Sequence, residues 1–218
     1  VVNGFLRSVN RLTLEGKELP CPERVSQRLA LENSLPNWLI DELISSFGEE
    51  VAEDISKASN KVPSFDLRIN RLRTTPENIQ KEFEAVGIKS DLVEGFPDAL
   101  QVKSGLGDLR KWPGYNSGNW CVQDRSSQWV APLLAPQPGD CILDACAAPG
   151  SKTTHLAELI ANQGEIWAVD RSPSRLRLVA ENTSRLGANC INILETDSLK
   201  LLVEKPEWRK YFQRILLD

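Results

Sequence analysis

Apolar and polar residues follow different patterns along the chain, and each pattern predicts a different kind of element. Within residues 34–60, apolar residues recur three or four positions apart and are interrupted at Gly48, which predicts two helices in a hairpin. Residues 65–70 alternate between apolar and polar, as in a half-buried strand. A helix capped by Thr75 and two later short strands complete a predicted α+β module over residues 61–110.

The second half of the chain has another pattern, in which short continuous apolar runs alternate with helical segments. Helical patterns occupy residues 152–161 and 172–187. The apolar runs end at or just before four acids: Asp144, Asp170, Asp197 and Asp218. Continuous apolar strands separated by helices predict a parallel sheet that is covered on both faces. The predicted fold class is therefore α/β, with a small α+β module in front of the sheet.

Composition and charge narrow the classes of function. The net charge is −4 and no segment is strongly basic, so a nucleic acid would have to bind a local patch. None of the five cysteines lies in a CxxC pair and His155 is the only histidine, which argues against a zinc site or a disulfide framework. Reduced cysteines predict a cytoplasmic protein, and no apolar run is long enough to predict a membrane span. We expect His155 to be a surface or capping residue of its helix rather than a base.

The turn "DACAAPGSKT", which begins at Asp144, is the stretch most informative about a ligand. It is no P-loop, because a serine separates the glycine from the lysine and no glycine stands five positions earlier. It has one glycine where a dinucleotide fold has three. Small residues would leave room for the thioether of S-adenosyl-L-methionine. Asp170 could then accept hydrogen bonds from both ribose hydroxyls, and Asp197 could reach the adenine amino group.

Four blocks of sequence, in this order, carry a resemblance to a known family. The block "DACAAPGSKTTHL", preceded by "VQDRSSQ" and followed by "AVDRSPSRL" and "RILLD", is similar to the Sun-type bacterial RNA (cytosine-5) methyltransferases. That family methylates cytosine in small-subunit ribosomal RNA with S-adenosyl-L-methionine. The resemblance implies the end of a NusB-like helical domain and a linker in residues 1–30. It further implies a helical hairpin with an RNA-binding α+β module in residues 31–115, and a truncated Rossmann-like methyltransferase domain in residues 116–218.

The resemblance also implies roles for single residues. Asp218 would support catalysis by hydrogen-bonding the cytosine ring or the cofactor, while the cysteine nucleophile lies downstream of it. The chain has no methionine and stops in an apolar run, so we expect a fragment truncated at both ends. The resemblance implies that this fragment lacks the nucleophilic cysteine and a second, helper cysteine. Ser151 stands where the family usually has glycine. The implied cofactor-binding residues are Cys146, Ala147, Ala148, Pro149, Gly150, Ser151, Lys152, Asp170, Asp197 and Asp218.

Arg68, Arg71 and Arg73 lie along or just after the strand predicted at residues 65–70. They could form a strip that contacts RNA phosphates, or they could be ordinary surface charge. The expected partner is ribosomal RNA of the small subunit, without a membrane or a metal ion. Two other classes of function stay open. One is a non-catalytic RNA-binding or ribosome-assembly factor on the same scaffold, and the other is a dinucleotide-dependent oxidoreductase.

Overall fold

The computed structural model describes residues 2–16, 21–105 and 107–218. Residues 17–20, which belong to the linker predicted within residues 1–30, lie outside the described residues, as do residues 1 and 106. The chain forms two compact units, one that ends at Pro63 and one that runs from Ser64 to Asp218.

The first unit is helical over the residues described. Gly48 separates the third helix from the fourth with a positive φ of 82°, which confirms the predicted hairpin. Leu29, Ala30 and Ile40 form its buried core, because the apolar stripes of the second and third helices face each other there. The helices are α1 (Val2–Leu14), α2 (Val25–Asn33), α3 (Asn37–Phe47) and α4 (Glu49–Ser59).

The second unit begins with an antiparallel sheet. The strands of this sheet, and the helix that follows the first strand, are β1 (Phe65–Ile69), α5 (Pro76–Ala85), β2 (Lys89–Val93), β3 (Phe96–Ser104) and β4 (Trp120–Val122). The strand order is β2-β3-β1-β4. Thr75 caps α5 by accepting a hydrogen bond from the Asn78 amide, as predicted. Phe83 meets Trp112 and Trp120 edge-to-face, with ring centroids 5.6 and 5.9 Å apart, and these rings fill the core.

A four-stranded parallel sheet follows, in the order β7-β6-β5-β8. The two central strands, β5 and β6, are mostly buried, whereas the edge strands β7 and β8 are partly exposed. A parallel sheet whose strands alternate with helices confirms the predicted α/β class. The elements are α6 (Arg125–Gln128), α7 (Val130–Leu133), β5 (Cys141–Asp144), α8 (Ser151–Leu159), β6 (Glu165–Asp170), α9 (Pro173–Leu186), β7 (Ile191–Glu195), α10 (Leu201–Glu204) and β8 (Arg214–Leu216).

Residues 2–16, 21–105 and 107–218 contain neither a candidate membrane span nor a candidate metal cluster. No helix in these ranges has the length and apolar character needed to cross a bilayer. No group of three or more histidine, cysteine, aspartate or glutamate side chains in them could hold a metal ion.

Candidate functional site: a cavity at the carboxyl ends of the parallel strands

A cavity of about 860 Å³ opens where the parallel strands end. It is lined by all four strand-end acids, Asp144, Asp170, Asp197 and Asp218. Carboxyl ends of parallel strands share one edge of a sheet, so the sequence pattern alone brings these acids together. Of the loop predicted to bind the cofactor, Cys146 to Pro149 and Ser151 to Lys152 line the cavity, whereas Gly150 does not. The volume lies within the usual range for small-molecule sites.

The loop between β5 and α8 is held by backbone hydrogen bonds. The Ala147 amide donates to the Val169 carbonyl at 2.8 Å, and the Gly150 amide donates to the Ala147 carbonyl at 2.7 Å. Gly150 has a φ of 98°, and a Cβ there would lie 3.2 Å from Cα of Val179 on α9. Glycine is therefore required by the turn itself and by the close approach of α9. Gly150 shapes the cavity without lining it.

Asp170 is only 5% exposed at the end of β6. Its Oδ1 accepts a hydrogen bond from the Ser172 amide at 2.9 Å, and its Oδ2 accepts one from the Ala148 amide at 3.3 Å. Arg175 on α9 approaches the same Oδ2 at 3.4 Å and donates to the Ala148 carbonyl at 2.6 Å. The carboxylate is thus fixed against the loop while it faces the cavity. The sequence prediction missed Arg175, although its position in the first turn of the helix after Asp170 was a usable signal.

Asp144, at the end of β5, is the most buried of the four acids. Its Oδ2 accepts a hydrogen bond from the Thr153 hydroxyl at 2.7 Å. Burial raises the pKa of Asp144 to about 6, although Thr153 and the Lys152 charge act in the opposite direction. The carboxyl group therefore changes its charge close to neutral pH.

The other two acids stand at more open positions. Asp218 forms an ion pair with Lys152, the second residue of α8, across the cavity. Asp197 accepts a hydrogen bond from the Leu199 amide at 3.0 Å and so caps the turn that follows β7. One carboxylate oxygen of Asp197 is therefore already hydrogen-bonded to a backbone amide of the turn that follows β7.

Another wall of the cavity comes from the segment that runs from the end of β4 into α6. The residues of this segment that line the cavity are Val122, Gln123, Asp124 and Ser127. Asp124 also caps α6 by accepting a hydrogen bond from the Ser126 amide at 2.8 Å. These residues belong to the block "VQDRSSQ", which supported the resemblance but was given no role at the site.

Arg68 is not on the surface, so the prediction that it belongs to a strip for RNA phosphates is wrong. Its side chain is 0% exposed and forms an ion pair with Glu158 of α8 at 2.8 Å. Arg71 is about half exposed and pairs with Asp98 at 3.2 Å. Arg73 donates to the carbonyl oxygens of Ser117 and Leu186 at 2.6 and 3.3 Å. The three arginines therefore do not form one free strip.

His155 is also not on the surface, which was one of its two predicted positions. It is 3% exposed and lies within a buried run of α8, Thr153 to Glu158. Burial lowers the pKa of His155 to about 2, and the Arg68 charge adds to the effect, so the imidazole stays neutral. Cys146, in contrast, is exposed in the cavity wall.

Two family models match the chain. Residues 131–218 match the model described as 16S rRNA methyltransferase RsmB/F. Residues 35–107 match the model of a ferredoxin-like domain of RsmF/B-like methyltransferases. The first match covers all four strands of the parallel sheet, and the second covers three of the four strands of the antiparallel sheet.

Similar proteins agree with these models. Over the whole chain, 38% of residues are identical to a probable ribosomal RNA small subunit methyltransferase B of Synechocystis sp., and 34% to one of Bacillus subtilis. The chain spans about half the length of these relatives, 48% and 47%. The crystal structure of a methyltransferase homolog protein from Pyrococcus horikoshii superposes with a TM-score of 0.78 at 26% identity, over 90% of this chain and 63% of that one.

Proposed function

We propose that the chain is part of an enzyme that methylates C5 of a cytosine in small-subunit ribosomal RNA. Its two sheets match two domains of one family, and the chain therefore belongs to the RsmB/F family of ribosomal RNA methyltransferases. Methyltransferases of this family depend on S-adenosyl-L-methionine. The observation that carries the proposal is the convergence of the four strand-end acids and the small-residue loop on one cavity. A ribosomal RNA substrate also implies a cytoplasmic location.

The residues in the cavity suit the cofactor. Ala145, Ala147 and Ala148 keep the loop side of the cavity free of large side chains. Asp170 is fixed by two backbone amides and would accept hydrogen bonds from the ribose hydroxyls, while Asp197 would accept one from the adenine amino group. Cys146 to Lys152 would surround the amino-acid part. When bound, S-adenosyl-L-methionine supplies an electrophilic methyl group.

Chemistry at C5 of cytosine needs a nucleophile supplied by the protein. A cysteine thiolate that adds to C6 makes C5 nucleophilic, so that C5 could take up the methyl group. Loss of the C5 proton would then break the bond between C6 and sulfur and release the thiolate. The resemblance assigns this cysteine to a position after Asp218, and Cys146 to the cofactor loop. Asp218, held by Lys152, would orient the cytosine ring through a hydrogen bond. Catalysis is therefore proposed for the full-length protein.

RNA contacts are proposed for the exposed arginines of the antiparallel sheet. Arg71 lies at the surface, where it pairs with Asp98. An RNA phosphate could replace Asp98 as the partner of the guanidinium, because the ion pair is open to solvent on one side. Arg73 is exposed as a residue, but its guanidinium already holds two carbonyl groups. Arg71 is thus the better candidate for a phosphate contact.

The experiment that tests the cofactor site is a calorimetric titration of S-adenosylhomocysteine into the full-length protein. We expect Asp170→Ala to weaken binding by about 10- to 100-fold, because two charge-assisted hydrogen bonds would be lost. Glu195→Ala is the matched control, since Glu195 ends the adjacent strand directly beside Asp170 but does not line the cavity. Equal affinities of parent and Asp170→Ala would refute the assignment of the ribose acid.

Methyl transfer is tested separately with radiolabelled S-adenosyl-L-methionine and small-subunit ribosomal RNA. We expect label at C5 of cytosine after digestion to nucleosides. Cys146→Ser should still transfer the methyl group at saturating cofactor, even if its cofactor affinity changes, because Cys146 is proposed to line the cofactor site and not to act as the nucleophile. Cofactor binding without any transfer to RNA would favour a non-catalytic RNA-binding factor. Binding of NAD in place of S-adenosylhomocysteine would favour an oxidoreductase.

A further inference from the structure

One buried guanidinium joins the antiparallel sheet to two different walls of the cavity. Nη1 of Arg68, on β1, donates a hydrogen bond to Oε1 of Gln123 and another to the carbonyl oxygen of Ser151 at 2.6 Å. Gln123 belongs to the wall between β4 and α6, whereas Ser151 is the first residue of α8. Arg68 itself does not line the cavity.

The other donors of the guanidinium are directed along α8. Nε and Nη2 donate to the two carboxylate oxygens of Glu158 at 3.2 and 2.8 Å, and Nη2 also donates to the Thr154 hydroxyl at 3.0 Å. Burial raises the pKa of Glu158, and the Arg68 charge acts against this rise. A planar guanidinium paired with both oxygens of a carboxylate allows little rotation, so the direction of Nη1 is fixed as well.

The fixed direction of Nη1 matters because both of its acceptors are connected to residues that line the cavity. Ser151 precedes Lys152, which pairs with Asp218 at the cavity. Gln123 in turn donates to the Ser127 carbonyl at 3.2 Å, and Ser127 lines the same wall. One side chain therefore sets the separation between the start of α8 and the opposite wall.

We propose that Arg68 is a positioning residue for the cofactor site, with Glu158 as the residue that orients it. The proposal rests on the proposed function and deepens it, since the antiparallel sheet then contributes to cofactor binding without touching the cofactor. Neither Arg68 nor Glu158 lines the cavity, so neither can affect affinity through a direct contact.

The test compares Arg68→Lys, Glu158→Gln and a matched control in the full-length protein. Lysine keeps the charge but cannot direct donors to Gln123, Ser151 and Glu158 together. The control is Arg185→Lys, because Arg185 donates to the carbonyl oxygens of Tyr115 and Trp120 and so links the same two sheets. It lies near the last turn of α9, roughly 15 Å along that helix from Arg175 at the cavity.

We expect Arg68→Lys to weaken binding of S-adenosylhomocysteine by about tenfold, Glu158→Gln to weaken it less, and Arg185→Lys to leave it unchanged. Hydrogen exchange followed by mass spectrometry gives a second measurement. Amides of residues 151–155 should exchange faster in Arg68→Lys than in the control at equal overall stability. A variant that is partly unfolded still tests the proposal. Global unfolding speeds up exchange at all amides of the unit, whereas local loosening speeds it up at residues 151–155 relative to the other amides.

The proposal would be overturned if Arg68→Lys and Glu158→Gln both bound S-adenosylhomocysteine as tightly as the parent and amide exchange at residues 151–155 were unchanged. The ion pair would then be a purely structural contact. An equal loss of affinity in Arg185→Lys would also overturn it, because any damage to the link between the sheets would then have the same effect. Failure of the proposed function looks different, since the parent protein itself would not bind S-adenosylhomocysteine.

Discussion

Asp66 and Arg68 on β1, Asn70 directly after it, and Asp144 and Asp170 at the ends of β5 and β6 are all at most 5% exposed, yet the two sheets use them differently. On and just after β1, each of these polar side chains is paired with other groups of the protein. Asp66 accepts from Arg125 at 2.7 and 2.8 Å, and Asn70 donates to the carbonyl oxygens of Gly118 and Leu186, both at 2.8 Å. In the parallel sheet, Asp144 and Asp170 face a cavity.

Burial of a polar side chain therefore does not by itself indicate a ligand site. Asp66 and Arg68 of β1 and Asn70, the residue after it, join the antiparallel sheet to the rest of the unit, which is a structural task. Asp144 and Asp170 of the parallel sheet face open space. Their hydrogen-bond donors are two backbone amides and one hydroxyl, and the Arg175 guanidinium lies 3.4 Å from Asp170. We expect substitutions in the first group to reduce stability, and substitutions in the second group to change ligand binding or pH dependence.

The largest effect is expected for Glu158→Ala, which would leave the Arg68 charge buried without its partner. The free energy of unfolding should fall by about 3–5 kcal/mol, as measured by urea denaturation. The double variant Arg68→Met with Glu158→Leu is the control, and it should recover most of this loss because no unpaired charge remains. A loss below about 1 kcal/mol in Glu158→Ala would show that water or another group replaces the carboxylate.

A smaller effect, dependent on pH, is expected for Asp144. Its pKa in the folded protein lies above the ordinary value of 3.8, at about 6, so the folded state holds the proton more tightly than the unfolded chain. The stability that this group contributes is present below about pH 4 and is lost as the pH rises through 6. Asp144→Asn should remove that loss and stabilise the protein at pH 7.5 by up to about 3 kcal/mol relative to the parent.

The measurement is thermal or urea unfolding of parent and Asp144→Asn, without ligand, between pH 4 and pH 8. Other groups titrate in both proteins, so the difference between the two curves isolates Asp144. Curves that run parallel over the whole range would mean that the carboxyl group is not perturbed by burial.

Asn70→Ala should cost about 2 kcal/mol of unfolding free energy, because two carbonyl groups lose a donor inside the junction between the sheets. Asn70→Asp is the informative companion, since a carboxylate has the same shape but cannot donate to a carbonyl oxygen. Chemical denaturation of both variants checks the idea. Stability equal to the parent in Asn70→Asp would contradict the role given to the amide.

The smallest effect is expected for Arg71→Met. The pair with Asp98 is partly open to solvent, so its loss should change the unfolding free energy by less than about 1 kcal/mol. If Arg71 contacts a phosphate, the salt dependence of RNA binding should become shallower by about one unit of slope. Nitrocellulose filter binding at several salt concentrations measures this slope, and an unchanged slope would exclude the contact.

The sequence allowed the larger part of the fold to be predicted, for a physical reason. Helical spacing with a break at Gly48 gave the hairpin, and continuous apolar runs gave the parallel strands, because burial on both faces requires such runs. The convergence of Asp144, Asp170, Asp197 and Asp218 followed from parallel topology alone. Their roles toward the cofactor stay predictions.

The predictions failed where one polar surface packs against another. Thr154, His155 and Glu158 give α8 a polar face, and from sequence alone such a face indicates solvent. Its actual partner is Arg68, which lies 90 residues before Glu158 in the chain. A local pattern contains no information about a contact of that separation, so Arg68 was assigned to the surface and His155 with it. Gln123 and Arg175 were missed for a related reason, since their roles depend on which loops meet at the cavity.

The contacts of Arg68 limit how this protein could exchange parts with its relatives. A chimera joined between the two sheets would place an arginine from one parent against the helix of the other. Each donor of the guanidinium keeps its acceptor only if Gln123 and Glu158 are inherited together with Arg68. A transplanted piece that keeps these contacts must therefore include residues 68–158, and recombination within that span should be tolerated only between parents that share all three residues.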